Sequence, residues 1–320
     1  MLSLTLTFLA SALVGWLITL PVVWALKVLK AAQVVREEGP SSHRGKTGTP
    51  TMAGIGILLT ILIFALVLIN VDLSVKYLAL LALTGGYALL GFLDDAIKIK
   101  NRRNKGLLAS EKVLGQVLFA ILFAAVLLYL GYADQVTGAL KDLHLNNPYL
   151  YLAFVVLVIV GASNAVNLTD GLDGLAAGTL GIAFIALGIV AYSLHFMDEA
   201  LIAAVAGGAS LSFLRFNSHP AEVFMGDVGS LGLGALLGGL AVLLHKELLL
   251  ILIGGVFVAE ALSVIVQVVS YKLFEFRVFR MSPLHHHFEL LGASERVISA
   301  SFYAAAAVFA ALGIWLYDLF

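Results

Sequence analysis

The sequence predicts an all-α polytopic membrane protein, and three features of the chain indicate this fold class. Hydrophobic residues make up 61% of the 320 residues and charged residues 12%, whereas a soluble domain is nearer half apolar and a quarter charged. The apolar residues form continuous stretches of roughly the 20 residues that a helix needs to cross a bilayer. These stretches lack the regular two-residue alternation of a membrane β-barrel. We therefore expect a single integral membrane domain over residues 1–320.

Ten apolar stretches are candidate transmembrane helices. They are Ser3–Leu26, Met52–Asn70, Val75–Leu93, Val113–Gly131, Tyr149–Ala165, Leu175–Tyr192, Ala200–Phe213, Gly229–His245, Leu248–Phe274 and Val297–Tyr317. The first lacks the leading positive charge and the cleavage pattern of a secretory signal, which favours a retained helix. Gly254 and Gly255 near the start of the ninth favour a bend or a tilt. Gly234 and Gly238 in the eighth stretch are four residues apart, a spacing that is typical of closely packed helices.

Lysine and arginine are distributed unequally between the two sides that alternating helices create. All of the 19 except Lys76, Lys141 and Lys246 lie in the loops after the first, third, fifth, seventh and ninth stretches. The positive-inside rule places these loops in the cytoplasm. We therefore expect both termini to be extracytoplasmic.

The polar sequence clusters lie in the same basic loops. Asp94 and Asp95 end the third stretch, and a run of basic residues follows them. The other clusters are Lys46–Met52, Asn164–Gly174, Asn217–Ser230 and Ser282–Glu289. Because every cluster falls on one predicted side, we expect an active site on the cytoplasmic face.

The residue types in these clusters suit magnesium and phosphate chemistry. Mg²⁺ prefers one or two carboxylates, several waters and substrate phosphate oxygens. Three loops offer carboxylates for it, namely those of Asp94, Asp95, Asp170, Asp173 and Asp227. Positive charge for phosphates comes from Lys46, Lys98 and Lys112, and Phe224 offers a ring on which a base could stack.

Each feature also has a structural interpretation. Asp94 and Asp95 can end a helix and pair with Lys98, and Phe224 can be an ordinary core or lipid-facing residue. Three consecutive histidines cannot all point at one ion from a regular helix, which favours ligand hydrogen bonding over a zinc site. Glu260 shares a helix face with Gln267, and for Glu260 a functional and a structural role are equally open.

In their order along the chain, the motifs resemble those of the polyprenyl-phosphate N-acetylhexosamine-1-phosphate transferases. The matching segments are Asp94–Asp95, Asn167–Leu175, Phe224–Asp227 and Pro283–Glu289, which together with Lys46–Met52 span nearly the whole chain. The resemblance implies an Mg²⁺-dependent enzyme of the bacterial cytoplasmic (inner) membrane. Within that family, Pro283–Glu289 and Lys46–Met52 resemble the corresponding segments of one branch. Enzymes of that branch transfer phospho-N-acetylmuramoyl-pentapeptide from UDP-N-acetylmuramoyl-pentapeptide to undecaprenyl phosphate, giving lipid I and UMP.

The resemblance also implies roles for individual residues. Asp227 would be the metal ligand, Asp94 the base that deprotonates or orients undecaprenyl phosphate, and Asp95 its support. His286 completes the implied catalytic set. The implied substrate-binding residues are Lys46, Thr51, Lys98, Lys112, Asn167, Asp170, Asp173, Asn217, Phe224, Gln267, His285 and His287. Whether transfer takes one step, or two through a covalent aspartyl intermediate, stays open.

The implied partners are the two substrates and the lipid bilayer, with no nucleic acid; a homodimer stays open. Two other functions compete with this interpretation. A sister transferase using UDP-N-acetylglucosamine usually has an interrupted histidine run, whereas the run from His285 to His287 is continuous. A transporter needs ionisable residues near the midplane of several helices, and Glu260 alone clearly qualifies.

Overall fold

The computed structural model describes residues 2–32, 46, 48–68, 74–101, 105–135 and 147–320, and the regular structure in these ranges is helical apart from an isolated bridge between Ala32 and Pro50. The α-helices are α1 (Leu2–Val28), α2 (Gly54–Leu68), α3 (Val75–Asn101), α4 (Ala109–Tyr129), α5 (Pro148–Thr169), α6 (Leu175–Ser193), α7 (Met197–Asn217), α8 (Gly226–Leu243), α9 (Glu247–Ile253), α10 (Gly255–Phe274), α11 (Leu284–Leu290) and α12 (Glu295–Leu316). Short 3₁₀ turns cover Tyr132–Gln135 and Tyr317–Leu319.

The prediction of an all-α polytopic membrane protein is confirmed. Within the described ranges, nine helices are long and apolar enough to cross a membrane: α1, α3, α4, α5, α6, α7, α8, α10 and α12. The second predicted span corresponds to the shorter α2, and Asn70 at its predicted end lies outside the described residues. Which side of the membrane each loop faces stays a prediction.

The ninth predicted span is interrupted where its glycines led us to expect a bend. Gly254 has φ −87° and ψ 20° and joins the end of α9 to the start of α10. The two helices that result have 7 and 20 residues. Only the second is long enough to span a bilayer.

Helix α8 forms the centre of the bundle. Every residue from Val228 to Leu243 is buried. A Cβ atom on Gly234 would lie 2.6 Å from Ser163 Cα in α5, and one on Gly238 would lie 3.3 Å from Ile159 Cα. Glycine therefore permits a backbone-to-backbone contact that larger residues would prevent. The predicted packing role of these two glycines is confirmed.

A similar contact joins α3 to the start of α8. A Cβ atom on Gly91 would overlap the backbone carbonyl group of Asp227. Asp94 and Asp95 lie one turn further along α3. The missing side chain at Gly91 therefore lets the acidic end of α3 approach Asp227.

We expect Gly91→Ala to lower the thermal unfolding midpoint of the purified protein, since overpacking a helix contact typically costs about 1–3 kcal/mol. Gly85→Ala is a matched control in the same helix, because a Cβ atom there has no neighbour within 4 Å. The control should keep or slightly raise the midpoint, since alanine favours helix over glycine. Equal midpoints for the two variants would contradict the close α3–α8 contact.

Candidate active site

Three aspartates form a cluster that we call the carboxylate centre: Asp94, Asp95 and Asp227. Asp94 and Asp95 lie near the end of α3, each 3% exposed, and Asp227 lies in the first turn of α8. One oxygen from each of the three carboxylates lies within 4.8 Å of the other two. Three like charges at this distance repel one another unless cations or hydrogen bonds offset them.

Two lysines provide positive charge to the carboxylate centre. Lys98 Nζ lies 2.5 Å from Asp94 Oδ2, 3.1 Å from Asp227 Oδ2 and 3.5 Å from Asp95 Oδ1. Lys112 Nζ at the start of α4 lies 2.6 Å from Asp227 Oδ2. With all groups ionised, the carboxylates exceed the ammonium groups by one charge, which suits an added cation.

Neutral donors fix the orientation of each carboxylate. The backbone N–H of Leu107 donates to Asp94 Oδ1 at 2.9 Å, and that of Val228 donates to Asp95 Oδ2 at 3.2 Å. Asn167 Nδ2 donates to Asp227 Oδ1 at 3.0 Å and to Ser230 Oγ at 2.8 Å. The centre is therefore held from α3, α5, α8 and the loop before α4.

Gly226 brings the segment that contains Thr51 against the carboxylate centre. Its φ of +76° is in the left-handed region that glycine tolerates. A Cβ atom there would lie 2.6 Å from Asp95 Oδ2 and 2.9 Å from Thr51 Oγ1. The predicted substrate-binding residue Thr51 thus lies next to Asp95.

Backbone hydrogen bonds join two motifs that are far apart in the sequence. The N–H of Phe224 donates to Pro50 O at 2.8 Å, and the N–H of Ala53 donates to Phe224 O at 3.0 Å. The N–H of Gly54 donates to Met225 O at 3.0 Å. The segment before α2 and the segment before α8 are therefore held side by side.

Asp170 and Asp173 are three residues apart but belong to different parts of the site. Asp170 directly follows the end of α5 and interacts with Asp227 and Asp95 of the carboxylate centre. Burial raises the pKa of Asp170 well above its ordinary value, and the charges of Asp227 and Asp95 raise it further. Asp170 therefore retains its proton to higher pH than an exposed aspartate.

Asp173 belongs to a second group, the cavity cluster, which consists of Lys46, Asp173, His219 and Glu295. Lys46 Nζ lies 2.7 Å from Asp173 Oδ1 and also makes a short ion pair with Glu295. His219 Nδ1 lies 2.9 Å from Asp173 Oδ2 and 2.8 Å from Glu295 Oε2. The carboxylate of Asp173 also accepts from the N–H of Ala221 at 3.1 Å.

A cavity with a volume of about 790 Å³ opens beside this cluster. Lys46 Nζ lies 6.0 Å from the centre of the Phe224 ring, which also lines the cavity. Asn217 does not line the cavity; it is buried, accepts from the N–H of Gly174 at 3.1 Å and donates to Val223 O at 2.9 Å. The cavity combines an aromatic ring, charged groups and access from solvent, which are features of ligand sites.

The three consecutive histidines point to three different environments. His285 is fully buried, and Glu260 Oε1 accepts from its backbone N–H at 3.2 Å and lies 3.1 Å from its Nδ1. His286 Nδ1 lies 2.7 Å from Glu289 Oε2, and Glu289 lines the cavity. His287 Nδ1 accepts from the N–H of Arg280 at 3.2 Å. The His285 and His286 rings nevertheless lie 4.2 Å apart, centre to centre, and the expectation that the three histidines do not share one ion stays a prediction.

Gln267 lies outside both clusters, although the sequence places it among the substrate-binding residues. Its Nε2 donates to Phe279 O at 3.0 Å, and its Oε1 accepts from the Phe279 N–H at 2.9 Å. Both ends of the amide therefore hold the segment between α10 and α11. Its substrate-binding role stays a prediction.

Sequence reasoning missed several residues of the cavity, among them Glu295, His219 and Glu289. Glu295 begins α12, where an acidic residue is common because it favours the helix dipole. His219 precedes Pro220, and Glu289 follows the histidine run without a separate pattern of its own. The only usable signal was that His219 and Glu289 fall within polar loops already identified.

The sequence is similar to those of known proteins over most of its length. The sequence pattern of glycosyl transferase family 4 matches residues 77–245. The chain is 49% identical over 294 residues to the phospho-N-acetylmuramoyl-pentapeptide-transferase of Halalkalibacterium halodurans, a match that covers 91% of this chain and 90% of that protein. It is 50% identical over 293 residues to the protein of that name from Geobacillus sp., with the same two coverages. For the Bacillus subtilis protein of that name, the identity is 46% over 312 residues, with coverages of 97% and 96%.

We expect Glu260→Ala to lower the thermal unfolding midpoint, since it removes the acceptor of the buried His285 backbone N–H. An unsatisfied buried donor typically costs about 1–3 kcal/mol. Glu260→Gln should retain most of the stability, because its amide oxygen can still accept. Glu275→Ala, at the exposed end of α10, is the control. A midpoint for Glu260→Ala equal to that of the control would show that the His285–Glu260 contact contributes nothing.

Proposed function

The chain belongs to glycosyl transferase family 4 and, within it, to the phospho-N-acetylmuramoyl-pentapeptide transferases, and we propose that it transfers phospho-N-acetylmuramoyl-pentapeptide from UDP-N-acetylmuramoyl-pentapeptide to undecaprenyl phosphate. The products are lipid I and UMP. The observation that carries this proposal is the carboxylate centre at the end of α3, beside a cavity of about 790 Å³ lined by charged and aromatic residues.

The two clusters suit the two halves of a nucleotide-sugar donor. Phe224 offers a ring for the uracil base, and stacking of a base on an aromatic residue is worth about 1–3 kcal/mol. Lys46 lies between Phe224 and Asp173 and supplies positive charge. We propose that His286, whose Nδ1 lies 2.7 Å from Glu289 Oε2, contacts the sugar and pyrophosphate. The proposed donor thus extends from the cavity towards the carboxylate centre.

The residues of the carboxylate centre fit a divalent cation. Oxygens from three carboxylates converge, and Mg²⁺ prefers such ligands together with phosphate oxygens and water. Asp227 is the proposed principal ligand, with Asp94 and Asp95 beside it. Bound Mg²⁺ would neutralise charge on the phosphates, which is a main requirement of phosphoryl transfer.

The chain's own residues position the acceptor. An oxygen of undecaprenyl phosphate attacks the phosphorus next to the sugar, a P–O bond forms, and the bond to UMP breaks. Asp94 orients the acceptor phosphate or accepts its proton, and Lys98 and Lys112 offset the charge of the groups that gather there. Asp95, held by the Val228 N–H, keeps this end of α3 in register. A two-step route through an aspartyl phosphate uses the same atoms and stays open.

We also propose a location for this chemistry. The chain is a multi-pass membrane protein, and we place it in the bacterial cytoplasmic membrane as a single domain, with its termini outside and both clusters facing the cytosol. There a soluble donor can meet a lipid whose phosphate lies at the membrane surface. A sister transferase using UDP-N-acetylglucosamine is not favoured, since the relatives named above carry a different substrate in their names.

The proposal predicts that the purified protein forms lipid I and UMP from UDP-N-acetylmuramoyl-pentapeptide, undecaprenyl phosphate and Mg²⁺. UDP-N-acetylglucosamine in place of the donor should give little product. Radiolabelled donors and extraction of the lipid product provide the measurement. Preferential transfer from UDP-N-acetylglucosamine would overturn the proposed substrate.

Two variants test in that assay whether Asp227 and Asp94 have different roles. Asp227→Asn removes a charge that Mg²⁺ needs, so the residual rate should require at least roughly tenfold more Mg²⁺. Asp94→Asn should lower turnover while the Mg²⁺ requirement and donor binding stay nearly unchanged. An equal shift in the Mg²⁺ requirement for both variants would instead assign Asp94 to the metal.

A further inference from the structure

Two amide side chains, those of Gln116 and Asn164, join α4 to α5. Asn164 Nδ2 in α5 donates to Gln116 Oε1 in α4 at 2.8 Å, and Gln116 Nε2 donates to Asn164 Oδ1 at 3.4 Å. Gln116 is fully buried, and Asn164 is half-buried. Neither residue belongs to the carboxylate centre or lines the cavity. The pair is therefore a separate contact between the two helices.

The same two helices hold both oxygens of Asp227. Lys112 Nζ of α4 lies 2.6 Å from Oδ2, and Asn167 Nδ2 of α5 donates to Oδ1 at 3.0 Å. Gln116 lies one turn after Lys112, on the same face of α4. Asn164 lies one turn before Asn167, on the same face of α5. The distance and register between α4 and α5 therefore determine how the Asp227 carboxylate is held.

Gln116 also joins α4 to α3. The hydroxyl group of the buried Tyr87 donates to the backbone oxygen of Gln116 at 2.9 Å. Tyr87 lies about two turns before Asp94 on α3. The two helices are closely packed here, because a Cβ atom on Gly115 would lie 2.6 Å from Leu90 Cδ2. Gln116 is therefore hydrogen-bonded to two other helices that contribute residues to the carboxylate centre or hold it.

We propose that Gln116 is a positioning residue for the metal. Its amide binds Asn164 and so fixes α5 against α4, and the hydrogen bonds set the register because they are directional. This keeps Lys112 and Asn167 in place on the two oxygens of Asp227. The inference rests on the proposed function, in which Asp227 is the principal Mg²⁺ ligand.

Three variants remove one or both halves of the pair. Gln116→Met replaces the amide with an apolar group of similar length and leaves the backbone oxygen that accepts from Tyr87. In this variant Asn164 keeps its bond to Val160 O, at 2.8 Å, so we expect the bundle to fold. Asn164→Leu removes the other amide, and the double variant removes both.

Ser163→Ala is the matched control. Ser163 is a fully buried residue of α5, and its Oγ donates to Leu231 O of α8 at 3.0 Å. The substitution removes a buried hydrogen bond between helices but leaves the amide pair intact. It therefore separates a general loss of stability from a loss of positioning.

Mn²⁺ binding to the purified protein, measured from the electron paramagnetic resonance signal of the free ion, tests the inference without turnover. The Mn²⁺ that the unmodified protein binds and Asp227→Asn does not bind defines the site. We expect Gln116→Met to raise the Kd of this site about tenfold, since removing a group that holds metal ligands in place typically weakens metal binding about 10–100-fold. Asn164→Leu and the double variant should show the same increase, because both act on one contact. Ser163→Ala should bind Mn²⁺ as the unmodified protein does.

The lipid I assay provides a second measurement. The Mg²⁺ concentration that gives half of the maximal rate should rise about tenfold in Gln116→Met, in parallel with the Kd for Mn²⁺. The KM for the nucleotide donor at saturating Mg²⁺ should stay unchanged, because the cavity is separate from the amide pair.

Three results would overturn the inference. The first is a Kd for Mn²⁺ in Gln116→Met that equals that of Ser163→Ala. The second is a double variant in which the losses of the two single variants combine in full, since Gln116 would then not act through Asn164. The third is equal Mn²⁺ binding by the unmodified protein and Asp227→Asn, which would place the metal elsewhere. Failure of the unmodified protein to make lipid I would count against the proposed function alone, because the Mn²⁺ comparison involves no substrate.

Discussion

The site depends on the close contact between α3 and the start of α8. Gly91 leaves room for the backbone of Asp227, and any side chain at that position would overlap it. This contact brings Asp94 and Asp95 together with Asp227. Gathering three carboxylates in a mostly buried place is unfavourable unless each is compensated. Lys98 from the same helix, Lys112 and two backbone N–H groups provide that compensation.

The site also depends on the connection between the carboxylate centre and the cavity. The segment from Asp170 to Asp173 passes from one to the other within a few residues, because α5 ends at Thr169 and Gly174 adopts φ +77° before α6 begins. The pairing of Phe224 with Pro50 and Ala53 brings the Lys46 motif to the same cavity. The geometry therefore allows one extended substrate to contact both clusters.

Much of the fold could be predicted from the sequence because a helix in lipid must satisfy its own backbone, which leaves apolar length as a strong signal. The break at Gly254 could be anticipated from its glycine pair. The acidic residues of the carboxylate centre could be named because their motifs are local and ordered along the chain. The distances between these acidic residues could not be predicted, because they depend on the contact between α3 and α8.

The partners of Asp173 illustrate what the sequence could not predict. Glu295 Oε1 accepts from the backbone N–H of Asp173 at 3.5 Å. It reaches Asp173 because α12 packs on α6, where Gly178 makes room for Tyr303 and the Tyr303 hydroxyl donates to Gly174 O at 2.8 Å. No local pattern near Glu295 encodes this long-range contact. Gln267 shows the reverse situation, since a residue expected to contact substrate uses both ends of its amide to hold Phe279.

The most direct measurement of the central claim is the position of Mn²⁺ in crystals of the protein, located by anomalous diffraction. Mn²⁺ takes the same oxygen ligands as Mg²⁺. Our account predicts a peak at the carboxylate centre, with Asp227 as the principal ligand. Asp173, His219 and Glu295 also bring three potential ligand atoms within 4.8 Å of one another. A peak at these residues alone, with none at the carboxylate centre, would contradict the account.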